Sequence, residues 1–341
     1  MTNRVPRTIA TVSVPCCMVC GSRGFVRYQN ASDVWHRTPG LWSVRSCGTC
    51  QTFWLDPRPM QDADPAVYPE GYTTRSPPQN LLVAGLVFPA AFRLQLKREV
   101  LHRCYGYPVR AEQQYIRNIG ALAPYIPGLT KRSGYTVRFL RGAGRVLDVG
   151  CGNGSFLQLM AQFGWDVNGI EPDPLAAAFA QSAGIPVHVG AVESASLAPE
   201  SYDAITLNHV IEHMADPLAA FAQLVAALKP GGVLVSISPN PVGLLRRAFG
   251  VWWRALDPPR HVVLFGPKTL AEIATRFGLV PNVWVTNRNT AAWAAESLSG
   301  QRGGEWQFQR PIPKAIAGVA RTLNLFTRQC GEEVVLVARK P

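Results

Sequence analysis

Long apolar runs are missing from this sequence. Nothing in its 341 residues approaches the roughly 20 consecutive apolar residues that a membrane-spanning helix needs. The longest candidate, residues 81–92, is too short and contains Pro89. The N-terminus has no apolar block ahead of a small-residue cleavage site, so no signal peptide is read and the default compartment is the cytoplasm. In that compartment the eight cysteines are expected as free thiols or metal ligands rather than disulfides. Internal repeats and low-complexity tracts are also absent, which excludes repeat arrays. Acids are scarce: 22 Asp and Glu stand against 34 Lys and Arg, a net charge of +12. Residues 93–145 hold eleven Lys and Arg and only two acids, Glu99 and Glu112. That segment is either a solvated helical face or a surface for an anionic partner: phosphate, nucleic acid or an acidic membrane.

What is present divides into three textures. Residues 14–58 are rich in Cys, Trp and turn formers; residues 59–140 are rich in proline and basic side chains; from residue 141 onward strand and helix patterns alternate. The expected domains are a ribbon at 1–58, a basic helical linker or lid at 59–140, and an α/β domain at 141–341 with an insertion near 241–259. In the α/β region, strands are expected at 145–149, 166–171, 187–189, 204–208, 233–238, 283–285 and 333–338. Helices are expected at 155–163, with Phe156, Leu157, Met160 and Phe163 on one face, at 175–183, and after the Asp216-Pro217 start signal. Such alternation builds a parallel sheet covered by helices on both faces.

The stretch LDVGCGNG, residues 147–154, is where a ligand should sit. In an open α/β sheet, ligands bind at the carboxyl ends of the strands. Gly150, Gly152 and Gly154 let the backbone approach a ligand closely. The helix that follows offers free N–H groups. Glu171, at the end of the second strand, is placed to accept two ribose hydroxyls. The spacing is Gly-x-Gly-x-Gly rather than the dinucleotide fingerprint, and Asp148 would repel a pyrophosphate but suit an ammonium group.

Five stretches in order, LDVGCGNG, GWDVNGIEPDP, SYDAITLNHVIEHMADP, LKPGGVLVSISPN and RHVVLFGPKTL, resemble the class I S-adenosylmethionine (SAM)-dependent methyltransferases. The resemblance implies an α/β, Rossmann-like sandwich around a seven-stranded, mostly parallel sheet. It assigns the amino-acid end of SAM to Asp148 and the loop of Gly150, Cys151, Gly152, Asn153 and Gly154, with Phe156 beside it. It assigns the ribose to Glu171, the adenine to Ala191 and Val192, and the sulfonium side to Asn208 and His209. Family members often carry an acid where this chain has Ala191.

Cys17-x-x-Cys20 and Cys47-x-x-Cys50 stand 26 residues apart, and four thiolates on two tight knuckles close a tetrahedron around Zn²⁺. Gly21 and Gly48 suit the knuckle turns, whereas Cys16 offers a worse spacing than Cys17. This ribbon and the Pro-Arg-Pro segment DPRPMQDADPAVYPEGY, residues 56–72, are similar to a subset of bacterial methyltransferases that includes enzymes of sugar and cell-surface glycan modification. The zinc implied there is structural, since four thiolates leave no open coordination position.

HVIEHMADP raises a separate question. His-x-x-Glu-His is also the order of an inverted zinc-protease motif, but here His209 falls at a strand end, so a protease is rejected. Some class I methyltransferases, including ubiquinone-pathway and small-RNA 2′-O-methyltransferases, carry Glu-x-x-Glu-His at this place plus a later histidine. This chain has His209, Glu212, His213 and a later His261. Two roles are open: a metal on Glu212, His213 and His261, or His213 as general base or substrate-positioning group, its ordinary pKa of about 6.5 suiting proton removal. The resemblance implies that the tyrosine-containing segment 73–140 lids the cofactor. The insertion at 241–259 is expected to cover the acceptor pocket or touch a partner or bilayer surface, and Trp293 with residues 300–304 to form another mobile loop.

The leading expectation is a cytoplasmic SAM-dependent methyltransferase acting on a small anionic or glycosyl acceptor, such as a sugar nucleotide or glycan, at O or C. An RNA methyltransferase using the ribbon and basic segment is the second; against it, no RNA-binding fold signature and no Asn-Pro-Pro-Tyr motif is found. A non-catalytic partner module with the SAM fold is the third.

Overall fold

A computed structural model describes residues 9–60, 67–68, 99–103, 105–107, 139–301, 311–327 and 330–341. Most of the basic segment 93–145, most of the lid segment 73–140, and residues 302–304 of the 300–304 loop lie outside the described residues. Among the described residues no helix is long and apolar enough to cross a membrane.

Seven strands form the principal sheet. They are β6 (Arg145–Val149), β7 (Asp166–Glu171), β8 (Val187–Val189), β9 (Tyr202–Asn208), β10 (Leu228–Pro239), β12 (Val280–Thr286) and β13 (Glu333–Arg339). Their order across the sheet is β12-β13-β10-β9-β6-β7-β8. β6 pairs in parallel with both β7 and β9, and β7 with β8. The chain order therefore reverses at β6, and the crevice at its carboxyl end is where such sheets take ligands. All seven expected strands are present. β10 begins five residues early, because Leu228–Pro239 runs as one strand through the Lys-Pro-Gly-Gly stretch.

The chain divides into two compact units. One comprises residues Thr73–Asn208, Ala222–Val235 and Arg339–Pro341. Its core rests on Val146, Leu147, Val149 and Ile170 of the strands, with Leu157, Met160, Ala176 and Ala180 of the helices, all nearly inaccessible. Burying each large aliphatic side chain contributes about 1.5–3 kcal/mol. In the helix Ser155–Gln162, Leu157, Leu159 and Met160 are buried, whereas Phe156 is only half-buried. Leu157, Met160 and Phe163 are buried as expected, and Leu159 joins them in place of Phe156. Asp173 caps the helix Pro174–Ser182, accepting from the Leu175 N–H at 3.0 Å.

The other unit comprises Met1–Tyr72, His209–Phe221 and Ser236–Ala338. It holds a four-stranded sheet built from β2 (Phe25–Ala31), β3 (Trp42–Ser46), β4 (Phe53–Leu55) and β11 (Val263–Leu264), in the order β11-β4-β3-β2. The N-terminal ribbon therefore takes a strand from far along the chain: Val263 opposes Trp54, and Leu264 opposes Phe53. A single apolar cluster joins the ribbon residues Trp42, Val44, Phe53 and Leu55 to Leu245, Trp253 and Leu256 of the insertion. The apolar residues of 241–259 are thus partly spent on this core. A small antiparallel pair, β1 (Thr11–Val12) with β5 (Arg58–Pro59), completes the segment.

Candidate active site

The glycine loop follows directly from the end of β6. Gly150, Gly152 and Gly154 all adopt the left-handed backbone region, with φ of 67°, 55° and 78°, which residues with a Cβ enter only at a cost. A Cβ on Gly154 would also meet Ile185 and Ala180 at 2.7 and 2.8 Å, so only glycine fits where the helix approaches. The Gly150 and Cys151 N–H groups donate to the Ile170 carbonyl. The Gly152 N–H donates to Glu171 Oε2 at 2.7 Å, and the Asp173 N–H to Glu171 Oε1 at 2.9 Å. Glu171 is nearly buried; each oxygen holds one N–H and keeps a further acceptor position. Asn153 turns back on the chain, its Oδ1 accepting from the Ser155 N–H and hydroxyl.

Asp148 lies inside the sheet beside Thr206, its register partner on β9. The Thr206 hydroxyl donates to Asp148 Oδ1. Burial raises this carboxyl, Thr206 pulls it down, and the charge of Glu171 pushes it up, leaving it at about 7. Ala191 is exposed and Val192 buried, on the turn after β8. Asn208 is exposed at the last position of β9.

The second constellation belongs to the other unit. Glu212 is completely buried, yet neither carboxylate oxygen has a hydrogen-bond partner among the described residues. His213 Nδ1–H donates to the Arg260 carbonyl at 3.0 Å and His261 Nδ1–H to the Ala255 carbonyl at 2.7 Å. Those bonds fix the tautomer and leave Nε2 of each ring as a free lone pair. The two rings meet edge to face with centroids 4.7 Å apart. One ligand atom from each of Glu212, His213 and His261 lies within 4.8 Å of the others. Burial lowers His213, and burial together with His213 lowers His261 to about 4, so both imidazoles are neutral at pH 7.

His209 has a different environment. Its φ of 56° is unusual for a side-chain-bearing residue. Its Nε2 meets Glu333 Oε1 at 3.0 Å, and its Nδ1 forms an ion pair with Glu212 at 3.4 Å. Burial alone would lower this imidazole, but the two carboxylates overcome that and raise it to about 10. His209 is therefore a held cation at neutral pH. Asn289 donates to the same Glu333 oxygen, and Trp293 packs edge-on against the His209 ring.

Cys17, Cys20, Cys47 and Cys50 converge as the spacing requires. Sγ separations are 3.5 Å for Cys17–Cys50, 3.4 Å for Cys20–Cys47 and 3.8 Å for Cys20–Cys50. Four thiolates about 2.3 Å from Zn²⁺ would stand about 3.8 Å apart. The two knuckles match: the Gly21 N–H donates to the Cys17 carbonyl and the Gln51 N–H to the Cys47 carbonyl. Gly21 and Gln51 take the left-handed positions. Gly48 lies in the second turn as expected, but the left-handed position there falls to Gln51, the residue after the second cysteine of the pair. Cys16 is exposed and bridges Arg23 through its backbone.

Sequence reading missed Thr206, Glu333, Asn289, Asp257, Arg260 and Asp33. Thr206 carried a signal, a lone hydroxyl facing inward in an apolar strand. Glu333 carried another, one of two acids opening the last buried strand.

A strand, a glycine turn, a helix and an acid closing the neighbouring strand, set in this sheet order, define a class I, SAM-dependent methyltransferase fold. The model of the methyltransferase-domain family matches residues 111–282, half of the chain, and the chain belongs to that family. It is 33% identical over 149 residues to a ubiquinone biosynthesis O-methyltransferase of Cereibacter sphaeroides, covering 40% of this chain and 60% of that one. It is 34% identical over 151 residues to the enzyme of the same name from Bordetella avium, covering 40% and 63%. The match thus spans about three fifths of the length of these curated relatives. Among solved structures, it is similar to a SAM-dependent methyltransferase from Archaeoglobus fulgidus, with a TM-score of 0.43, 22% identity, and 64% and 91% of the two chains covered. It is also similar to phosphoethanolamine N-methyltransferase 2 of Haemonchus contortus in complex with phosphomonomethylethanolamine and S-adenosylhomocysteine, with a TM-score of 0.44, 19% identity, and 72% and 60% covered.

Proposed function

We propose that this protein transfers the methyl group of SAM to an oxygen of a small acceptor of the anionic or glycosyl class, and that Glu212, His213 and His261 act on the acceptor. One observation carries the acceptor half. A buried carboxylate whose partner among the described residues is the His209 ring, at 3.4 Å, lies beside two imidazoles whose Nδ1 atoms are both committed to carbonyls. The similarity to ubiquinone biosynthesis O-methyltransferases supports oxygen over carbon or nitrogen.

On the cofactor side, Asp148 and the Gly150–Gly154 loop, with Phe156 beside it, hold the amino-acid end. Glu171 takes the ribose diol through its remaining acceptor positions, and Ala191 and Val192 line the adenine. Asn208 and His209 face the sulfonium side, with His209 acting as a fixed positive charge rather than as a base. The acceptor oxygen attacks the methyl carbon opposite sulfur. The C–O bond forms as the C–S bond breaks, the bonding pair stays on sulfur, and the hydroxyl proton leaves to a base. Because the sulfonium already activates the methyl group, the protein's task is alignment and exclusion of water.

The donor set of Glu212, His213 and His261 fits a divalent cation: one carboxylate, two Nε2 lone pairs, and carbonyl partners behind both rings. A cation held there would lower the pKa of the acceptor hydroxyl. The neutral state of His213 favours a second reading, in which His213 Nε2 takes the proton directly. A mild chelator separates the two. Lost turnover that Mg²⁺, Mn²⁺ or Zn²⁺ restores, with the four-cysteine site still loaded, supports the cation. Unchanged turnover together with a large loss in His213→Ala supports the base. Full activity in both treatments overturns both.

The four-cysteine site fits zinc in size and chemistry. A reducing compartment such as the cytoplasm would keep these thiols available to the metal. We keep the domain division with it: ribbon 1–58, basic segment 59–140, methyltransferase domain 141–341.

A further inference from the structure

Arg260 is completely buried, and its guanidinium is fully committed. Nε and Nη2 form a two-point contact with Asp257 at 2.9 and 2.7 Å. Nη1 reaches Asp33 Oδ2 at 2.9 Å and the Thr38 hydroxyl at 3.0 Å. Asp33 and Thr38 lie in the loop between β2 and β3, within the hairpin that the four cysteines close. Asp33 also organises that loop, accepting from the N–H groups of His36 and Thr38. Breaking one partner of such a buried ion cluster leaves an uncompensated charge, so the arrangement is rigid.

The backbone that Arg260 pins is the backbone that orients the histidines. The Arg260 carbonyl takes the His213 Nδ1–H, and the Ala255 carbonyl takes that of His261. The Val262 N–H closes the same turn onto the Glu212 carbonyl. Asp257 sits in the left-handed region with φ of 37°, a conformation that surrounding contacts must hold in place. A shift of the turn would therefore move both carbonyls and release both rings.

We infer that Arg260 and Asp33 are positioning residues: through them the N-terminal four-cysteine ribbon sets the tautomer and direction of His213 and His261. The ribbon is then more than a substitute core. It is the anchor of the acceptor-side cluster. This inference rests on the proposed role of that cluster.

Asp33→Asn in the full-length, zinc-loaded protein keeps the side-chain size and one acceptor oxygen for the His36 N–H, and removes the charged oxygen that holds Arg260 and the Thr38 N–H. The turnover expected is at least about tenfold lower, with unchanged SAM affinity, because a ligand or base shifted by about 1 Å loses alignment. Two further readouts separate positioning from general weakening. In ¹⁵N spectra, His213 should leave the pure Nδ1–H tautomer of the wild type. In a double-mutant cycle, Asp33→Asn should add nothing to the loss caused by His213→Ala. Thr38→Val, a milder change on the same guanidinium, should shift the tautomer in the same direction with the fold intact. A folded Asp33→Asn protein with the wild-type tautomer and turnover overturns the inference. So does a loss of turnover that adds in full to that of His213→Ala. If His213→Ala itself leaves turnover unchanged, the proposed function fails, while the tautomer measurement still decides whether Asp33 positions the ring.

Discussion

The glycine loop and the histidine cluster are both built from backbone carbonyls, buried acids and one left-handed residue or more, but they are assembled differently. The loop draws on residues 148–154 plus Glu171, one strand away, and its bonds stay local: Gly152 to Glu171, Gly150 to Ile170. The cluster draws on residues 212, 213 and 261, and is held by partners at 255, 260, 257 and 33. The loop needs only a sheet edge. The cluster needs a distant hairpin to fold correctly. Substitutions in one region should therefore leave the other largely unaffected, and each prediction below tests that separation.

The largest effect is expected from Cys47→Ser. Structural zinc in small domains supplies about 10–16 kcal/mol of apparent binding energy that acts as folding energy. The variant should lose its one zinc by elemental analysis, lose protection in residues 9–60 by hydrogen exchange, and lose turnover. Binding of S-adenosylhomocysteine should persist. If that binding collapses together with the ribbon, the two regions are not separable.

Next in size is the cluster itself. Glu212→Gln and His213→Ala should each lower kcat by about 10²–10⁴ while SAM affinity moves little. Single-turnover rates beside calorimetric Kd values check this. A rise in Kd that matches the loss in kcat would place these residues with the cofactor instead.

The contrast in assembly also explains what was legible. Strand and helix periodicity placed all seven sheet strands: the central ones are buried runs bounded by turn residues, and the less buried β8 and β12 were marked by their β-branched residues. The four cysteines were legible because knuckle spacing is local chemistry. Gly48 marked the second turn, but the left-handed residue of that knuckle, Gln51, was not legible because no glycine stands there. β11 was hidden: residues 263–264 sit in a stretch that resembled the methyltransferase pattern, and their pairing with β4 depends on contacts some 200 residues apart. Arg260 was invisible for the same reason, since a lone arginine after two prolines says nothing about an aspartate at position 33. His209 and Glu212 were found, but their states were not, because Glu333 enters from the last strand.

A smaller effect is expected on the other side. Glu171→Ala removes an acceptor for the ribose hydroxyls and should cost about 1.5–3 kcal/mol of SAM binding per charge-assisted bond lost. The loop also loses the anchor of the Gly152 N–H, so part of that cost falls on preorganisation. Calorimetry reads the total. The His213 tautomer, read by ¹⁵N spectra, should not change, and a change would show that the two regions communicate.

The smallest effect is a pH dependence carried by Asp148. Burial first, and then the charge of Glu171, hold this carboxyl at about 7 against the pull of Thr206, compared with about 3.9 in an unfolded chain. The folded state therefore binds the proton more tightly than the unfolded one. The stability this group contributes is fully present below about pH 4 and is lost as pH rises through 7. A ligand ammonium beside Asp148 works in the opposite direction, because it favours the carboxylate. Affinity for S-adenosylhomocysteine should weaken by up to about tenfold per unit as pH falls below 7, since one pKa unit corresponds to 1.36 kcal/mol. Binding near pH 6 should release a proton, so its apparent enthalpy should vary with the ionisation heat of the buffer. Asp148→Asn should remove most of the slope and of the buffer dependence while leaving weaker binding through the glycine loop and Glu171. Glu171, also raised by burial, contributes a smaller part, because hydroxyl donors favour its carboxylate less than an ammonium charge would, and Glu171→Ala in the same titration measures that part. An affinity that stays flat from pH 5 to 8 in the wild type would place the ammonium somewhere other than Asp148.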